Sequence, residues 1–275
     1  MGDVHGEIEG FIEILGNAGL IDGDASWKGD SGILVQTGDV VDRGPASLEA
    51  FRFLAKLQKE ATIAGGKVVR LCGNHEVMLL EGYYGYANYE DPEALACELK
   101  DEIMQGDVIA SYTDGKRLYT HAGLRSVVRN AIVGTAGEQE PAPKSGMIDL
   151  FWLSGRINEI FKDAVGNDLV ERHPIFYVGR DRGGNDPAGG IFWCDLTSIT
   201  RSEEAFTIRQ VFGHTPTGKA GVASARGLGL IDVDAGMCRV YGGERVYLEI
   251  TPDGRLIQHS KGHLEWEATE LEGDL

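Results

Sequence analysis

Five short segments of this chain bring together residue types that bind divalent cations: Gly2-Asp-Val-His-Gly, Gly38-Asp-Val-Val-Asp-Arg-Gly, Gly73-Asn-His-Glu, Thr120-His-Ala-Gly and Gly213-His-Thr. Asp3 and His5 stand two residues apart, so on an extended backbone they point to one side and can grip one ion together. Asp39 carries two carboxylate oxygens and can bridge two ions. Asn74, His121 and His214 would complete the shell of the second. The set mixes oxygen with imidazole and contains no thiolate, which suits Mn, Fe or Zn better than Ca or a structural zinc. The neighbouring glycines let the backbone turn sharply and let a substrate approach.

Such a centre needs elements that carry its five segments to one place. Ile33 to Thr37, Lys67 to Cys72, Arg117 to Thr120 and Arg209 to Phe212 read as short strands, and each runs straight into a glycine or a polar residue. Helical spacing appears between them, at Ile8, Phe11, Ile12 and Leu15 and again at Leu48, Phe51, Leu54, Ala55 and Leu57, the second helix opened by Pro45. Alternation of strand, loop and helix predicts an α/β layered fold, in which sites form beyond the carboxyl ends of the strands. Val222 to Ile250 predicts two or three antiparallel strands and hence a second sheet, while Gly134 to Gly146 and Gly179 to Gly190 read as surface loops. No linker divides the sequence, so residues 1–275 are expected to form one domain.

In this order the five segments resemble the phosphoprotein phosphatase family of calcineurin-like metallophosphoesterases, whose pattern is GD-x-HG, GD-x-x-DRG, GNHE, H-[GA]-G and GHT. The resemblance runs from residue 2 to about residue 240 and is closest to the bacterial branch, with the Shewanella-like phosphatases and the related diadenosine tetraphosphatases. It implies a four-layer αββα sandwich, two mixed sheets flanked by helices. It also implies Asp3, His5 and Asp39 on a first metal, and Asp39, Asn74, His121 and His214 on a second. His75 matches the general acid and Asp42 its carboxylate partner; Arg43 and Asn74 match groups that hold phosphoryl oxygens. A second phosphate-binding arginine is usual, and Arg180 and Arg182 are both candidates.

The chemistry explains these residue types. Two cations ~3.5–4 Å apart lower the pKa of a bridging water towards ~7 and hold that hydroxide for in-line attack. A departing alkoxide then needs a proton, which His75 can supply as imidazolium with Asp42 orienting it, typically a ~10²–10⁴-fold contribution. Arg43 offers a planar fork for phosphate oxygens. The activity so implied is hydrolysis of phosphate monoesters, on phosphoprotein, phosphopeptide or a small molecule, with two divalent ions, Mn first. A dinucleoside polyphosphate hydrolase of the diadenosine tetraphosphate type is the second reading, and an inactive phosphoprotein-binding module the third.

Composition narrows the partners. Asp plus Glu number 43 against 26 Lys plus Arg, a net charge of −17 that disfavours nucleic acid and anionic membranes. No apolar run is long enough to span a bilayer, so a soluble cytoplasmic monomer is expected. Cys72, Cys97, Cys194 and Cys238 show no paired spacing and read as free thiols in a reducing compartment. The first motif, unlike the others, has no apolar strand before it, so the first core strand is expected to be missing at the N-terminus. Asp3 and His5 would then hang on a loose end, and a lost leader could have carried another address. His173, His259 and His263 read as surface or local hydrogen-bonding residues, Asp232 and Asp234 as loop supports, and Trp152 and Trp193 as core. The tyrosines of Glu81 to Glu90 read equally as a substrate rim and as a plain insertion.

Overall fold

The computed structural model describes residues 1–134, 149–168, 173–201, 208–225 and 229–271. The loop expected from Gly134 to Gly146 therefore lies, beyond residue 134, outside the described residues. The chain opens with helix α1 (Ile8–Asn17), followed by β1 (Ile33–Gln36), α2 (Ser47–Ala64), β2 (Lys67–Leu71), α3 (Asn74–Leu80), α4 (Pro92–Gln105) and β3 (Val108–Ile109). Strands β4 (Tyr112–Thr113) and β5 (Leu118–Tyr119) precede helices α5 (Ser126–Gly134), α6 (Leu150–Gly166) and α7 (Leu196–Arg201). Strands β6 (Gln210–Phe212), β7 (Ala223–Ala225), β8 (Leu230–Asp232), β9 (Val246–Ile250), β10 (Leu256–Lys261) and β11 (Trp266–Leu271) complete it.

Helices and several sheets form the α/β fold that the sequence predicts. Among the described residues the strands hydrogen-bond into a parallel ladder β1-β2-β3, a mixed ladder β4-β5-β6-β8-β7 and an antiparallel ladder β11-β10-β9. Val222 to Ile250 accordingly splits between two of them. Strand β7 pairs antiparallel with β8, but β8 itself lies parallel to β6, and β9 pairs with β10. A hairpin partner further along the chain captures β9, which the local pattern of residues 222–250 could not reveal.

Helix α1 follows from its apolar stripe, with one correction. Phe11, Ile14 and Leu15 are buried, whereas Ile12, which also fits the spacing, is 36% exposed. Full burial of each such side chain is worth about 1.5–3 kcal/mol. Helix α2 buries Phe51, Leu54, Ala55 and Leu57 as expected, and Gly65 ends it in the left-handed conformation at φ +84°. Strand β1 pairs with β2 in parallel register, Ile33 opposite Lys67 and Gln36 opposite Arg70. On its other edge, the Met1 amino group donates to the Val35 carbonyl at 3.0 Å and Thr37 N–H donates to Met1 O at 3.1 Å. The opening residues are thus tied to β1, and the loose end expected for Asp3 and His5 is not what the fold shows.

Candidate metal centre

The five segments meet at the carboxyl ends of β1, β2, β5 and β6, as the crossover logic of a parallel sheet requires. The first is held from the side: Val4 and His5 N–H both donate to Asp39 O at 2.9 Å, and Gly6 N–H donates to Val40 O at 2.8 Å. Strand β1 turns at Gly38 (φ +101°), where a Cβ would stand 2.6 Å from Gly73 Cα and 2.8 Å from His121 Nδ1. Only glycine lets the two strand ends approach that closely. His5, Asp39, Asp42, Arg43 and His214 all hold positive φ, from 46° to 75°. Non-glycine residues in that region cost free energy and persist only where their surroundings fix them.

Asp39 stands between two sets of donors. Its Oδ2 lies 3.6 Å from His5 Nε2, and its Oδ1 lies 3.6 Å from His121 Nε2. Among the described residues, one buried cluster able to hold a cation joins His5, Asp39 and His75, and a second joins Asp39, His121 and His214. His121 Nε2 is 3.2 Å from His214 Nδ1 and 3.0 Å from Asn74 Oδ1, so three of the expected second-metal ligands converge. Asp3 belongs to neither cluster; it is buried, and its Oδ1 accepts His214 N–H at 3.3 Å.

Ring orientation fits a metal as well. His5 Nδ1 donates to Val41 O at 2.9 Å and His121 Nδ1 to Thr37 O at 2.8 Å, which leaves each Nε2 lone pair facing inwards. Burial pushes His5 down to about 4 and lowers His121 and His214, so these rings are neutral near pH 7. Burial and the charges of Asp234 and Asp39 push Asp3 well above the usual carboxylate range, and burial raises Asp234 to about 7. Burial pushes Asp39 the same way, but the charges that the surrounding histidines take up in acid outweigh it and hold it below that range. Crowded buried carboxylates among neutral imidazoles are a poor arrangement for a protein alone and a good one for divalent cations.

Of the groups matched to acid and phosphate contacts, His75 belongs to the first cluster, and Asp42 and Arg43 lie beside it. His75 Nδ1 is 2.8 Å from Asp42 Oδ2, and the Arg43 guanidinium reaches His75 Nε2 at 3.1 Å. Arg43 packs between two aromatic faces, 4.9 Å from the Tyr86 centroid and 5.2 Å from that of Tyr241. A cavity of about 180 Å³ is lined by Asp3, His5, Asp39, Arg43, Asn74, His75, His214 and Arg182, with Tyr86, Tyr241 and Trp193 at its walls. Arg182 pairs with Asp195 at 2.9 Å and lines this cavity, whereas Arg180 is exposed and does not.

Several contributors escaped the sequence reading. Glu76 accepts Asp39 and Gly73 N–H on Oε2, each at 2.8 Å, and Val40 N–H on Oε1 at 2.8 Å, so it ties the loops after β1 and β2 together. Its place three residues after Gly73, at the start of a helix, was the available signal. Trp193 is not core alone; it is half-buried and walls the cavity. Tyr241 carried no signal, because only the fold brings residue 241 to Arg43. Trp152 is half-buried against the main core, and all four cysteines are free, with Cys97 exposed. His259 bonds Glu249 at 2.8 Å and His173 accepts Ile175 N–H, the local roles expected of them.

Comparison with known proteins identifies the family. The model of the calcineurin-like phosphoesterases matches residues 1–221, and the chain belongs to that family. An uncharacterized protein of Schizosaccharomyces pombe is 29% identical over 272 residues, covering 91% of this chain and 76% of that protein. Shewanella-like protein phosphatase 2 of Arabidopsis thaliana is 48% identical over 86 residues, which is 31% of this chain and 22% of that one. Within the family, similarity runs to the Shewanella-like branch of the phosphoprotein phosphatases. Among solved structures, the cold-active protein-tyrosine phosphatase of a psychrophilic Shewanella species shares the fold, with a TM-score of 0.66 at 22% identity over 94% of this chain and 76% of that chain. Among the described residues, no helix is long and apolar enough to cross a membrane.

Proposed function

We propose that the chain is a metal-dependent phosphatase that hydrolyses phosphate monoesters, with phosphorylated protein or peptide as its substrate class. The observation that carries the reading is Asp39, whose two oxygens face different histidines and so suit a shared ligand of two ions. Asp3, His5 and Asp39 would hold the first and Asp39, Asn74, His121 and His214 the second, with Mn as the favoured metal and Fe or Zn as alternatives. Two such cations would activate water and bind a phosphoryl oxygen.

The chain's own side chains supply the rest. Arg43 and Arg182 face the cavity and offer forks to the phosphoryl oxygens, and Asn74 adds an amide. In the arrangement described, Arg43 donates to His75 Nε2. A phosphoryl group that draws the guanidinium away frees Nε2 to carry the proton that the leaving oxygen takes. Asp42 accepts from Nδ1 and keeps the ring aimed at the cavity. The largest apolar cluster draws on residues from Met1 to Tyr247, which supports one domain.

The deciding experiment is a parallel assay with Mn on p-nitrophenyl phosphate, phosphoserine and phosphotyrosine peptides, and diadenosine tetraphosphate. Turnover of a phosphopeptide, abolished by chelator, is the expected result. Turnover of the dinucleotide alone would transfer the assignment to nucleotide hydrolysis, and phosphopeptide binding without turnover would make the chain a binding module.

A further inference from the structure

The tyrosine-rich stretch between α3 and α4 is joined to the Asp42-Arg43 turn by both backbone and side chains. Arg43 N–H donates to Tyr86 O at 3.3 Å, and Asn88 Nδ2 donates to Gly44 O at 2.6 Å and Arg43 O at 3.2 Å. These bonds fall where support is needed, since Asp42 and Arg43 are consecutive non-glycine residues at φ +69° and +67°. The last tyrosine of the stretch goes further: its hydroxyl is 3.1 Å from Asp42 Oδ1, while Asp42 Oδ2 is 2.8 Å from His75 Nδ1.

We propose that Tyr89 is a positioning residue for the general acid, fixing the Asp42 carboxylate so that it stays on His75. The inference rests on the reading of His75 as the proton donor. Asp42 is buried, so each of its oxygens needs a partner. With Oδ1 held by the hydroxyl, the carboxylate cannot rotate away from the imidazole, and Nε2 keeps its aim into the cavity. Burial and the Asp42 charge push the Tyr89 phenol upwards, so it keeps its proton and donates. Tyr86, from the same stretch, packs against the same ring with its centroid 5.2 Å from that of His75. A plain insertion would not place a hydroxyl, an amide and a carbonyl on one strained turn.

Tyr89→Phe keeps the ring and removes only the hydrogen bond. In the Mn-loaded protein, kcat on a phosphoserine peptide, whose alkoxide must be protonated, should fall about tenfold with KM changed less than about twofold. The loss on p-nitrophenyl phosphate, whose phenolate leaves without a proton, should be several times smaller. In a His75→Asn background, Tyr89→Phe should add no further loss. Equal losses on both substrates, no loss on either, or additive loss in the double variant would each overturn the role of Tyr89. If His75→Asn itself slowed both substrates equally, the acid reading would fail and the inference with it, an outcome distinct from failure of Tyr89 alone.

Discussion

At the scale of single residues, His121 and His214 differ from an ordinary buried pair in that neither can serve the other as a charged partner. Burial lowers both, and their facing nitrogens, 3.2 Å apart, compete for one inward position. A cation resolves that competition. His121→Ala or His214→Ala should therefore lower metal content from about two ions to about one per chain and remove nearly all turnover, since the nucleophile needs both. Elemental analysis checks it, and two ions retained in both variants would refute the ligand assignment. The arginines separate as cleanly. Arg182 lines the cavity and Arg180 does not, so Arg182→Ala should raise KM for a phosphopeptide about tenfold while Arg180→Ala leaves KM within about twofold. Steady-state kinetics on the two variants would show whether the order is reversed.

At the scale of elements, α3 acts as a clamp. Its first turn presents Asn74 and His75, and Glu76 in the same turn reaches back to grip the loop that follows β1. Burial and the nearby Asp39 charge raise Glu76 to about 7, against the pull of the backbone N–H groups that bond it. Glu76→Ala would strip partners from several buried N–H groups at once. A loss of about 3–5 kcal/mol in stability should follow, with weaker metal binding, because Asp39 loses its backbone support. Urea denaturation of the metal-free variant isolates the first effect and calorimetric metal titration the second; unchanged stability would show that water replaces the carboxylate.

For the whole molecule, the centre couples metal, proton and fold. In the metal-free protein, a proton on Asp234 favours folding below the ordinary carboxylate value, and that contribution disappears as pH rises to about 7. His5 runs the other way. Its neutral ring contributes stability above the usual imidazole value, lost as pH falls towards about 4. The two slopes oppose each other without metal. Cation binding, however, requires ionised carboxylates and neutral rings together, and rising pH favours both. The gain in Tm on adding Mn should grow from about pH 5 to about pH 8. Thermal melts with Mn and with chelator test it, and an equal gain at both ends would contradict it.

The sequence by itself determined the candidate ligand segments and the strands that end at them. A strand that stops at a glycine or threonine followed by aspartate, asparagine or histidine is a local pattern, and β1, β2, β5 and β6 all fall inside the predicted stretches. Helix α2 was legible for the same reason, its buried face repeating at helical spacing. Tertiary structure decided what depends on residues distant in the chain. It placed Arg182 and not Arg180 in the cavity, brought Tyr241 over Arg43 and Tyr89 onto Asp42, and turned β9 away to pair with β10. It also anchored Asp3 and His5 on the backbone of Asp39 and Val40. Backbone hydrogen bonding between segments some 35 residues apart leaves no mark in residue type, which is why the candidate ligand residues could be singled out and their backbone support could not.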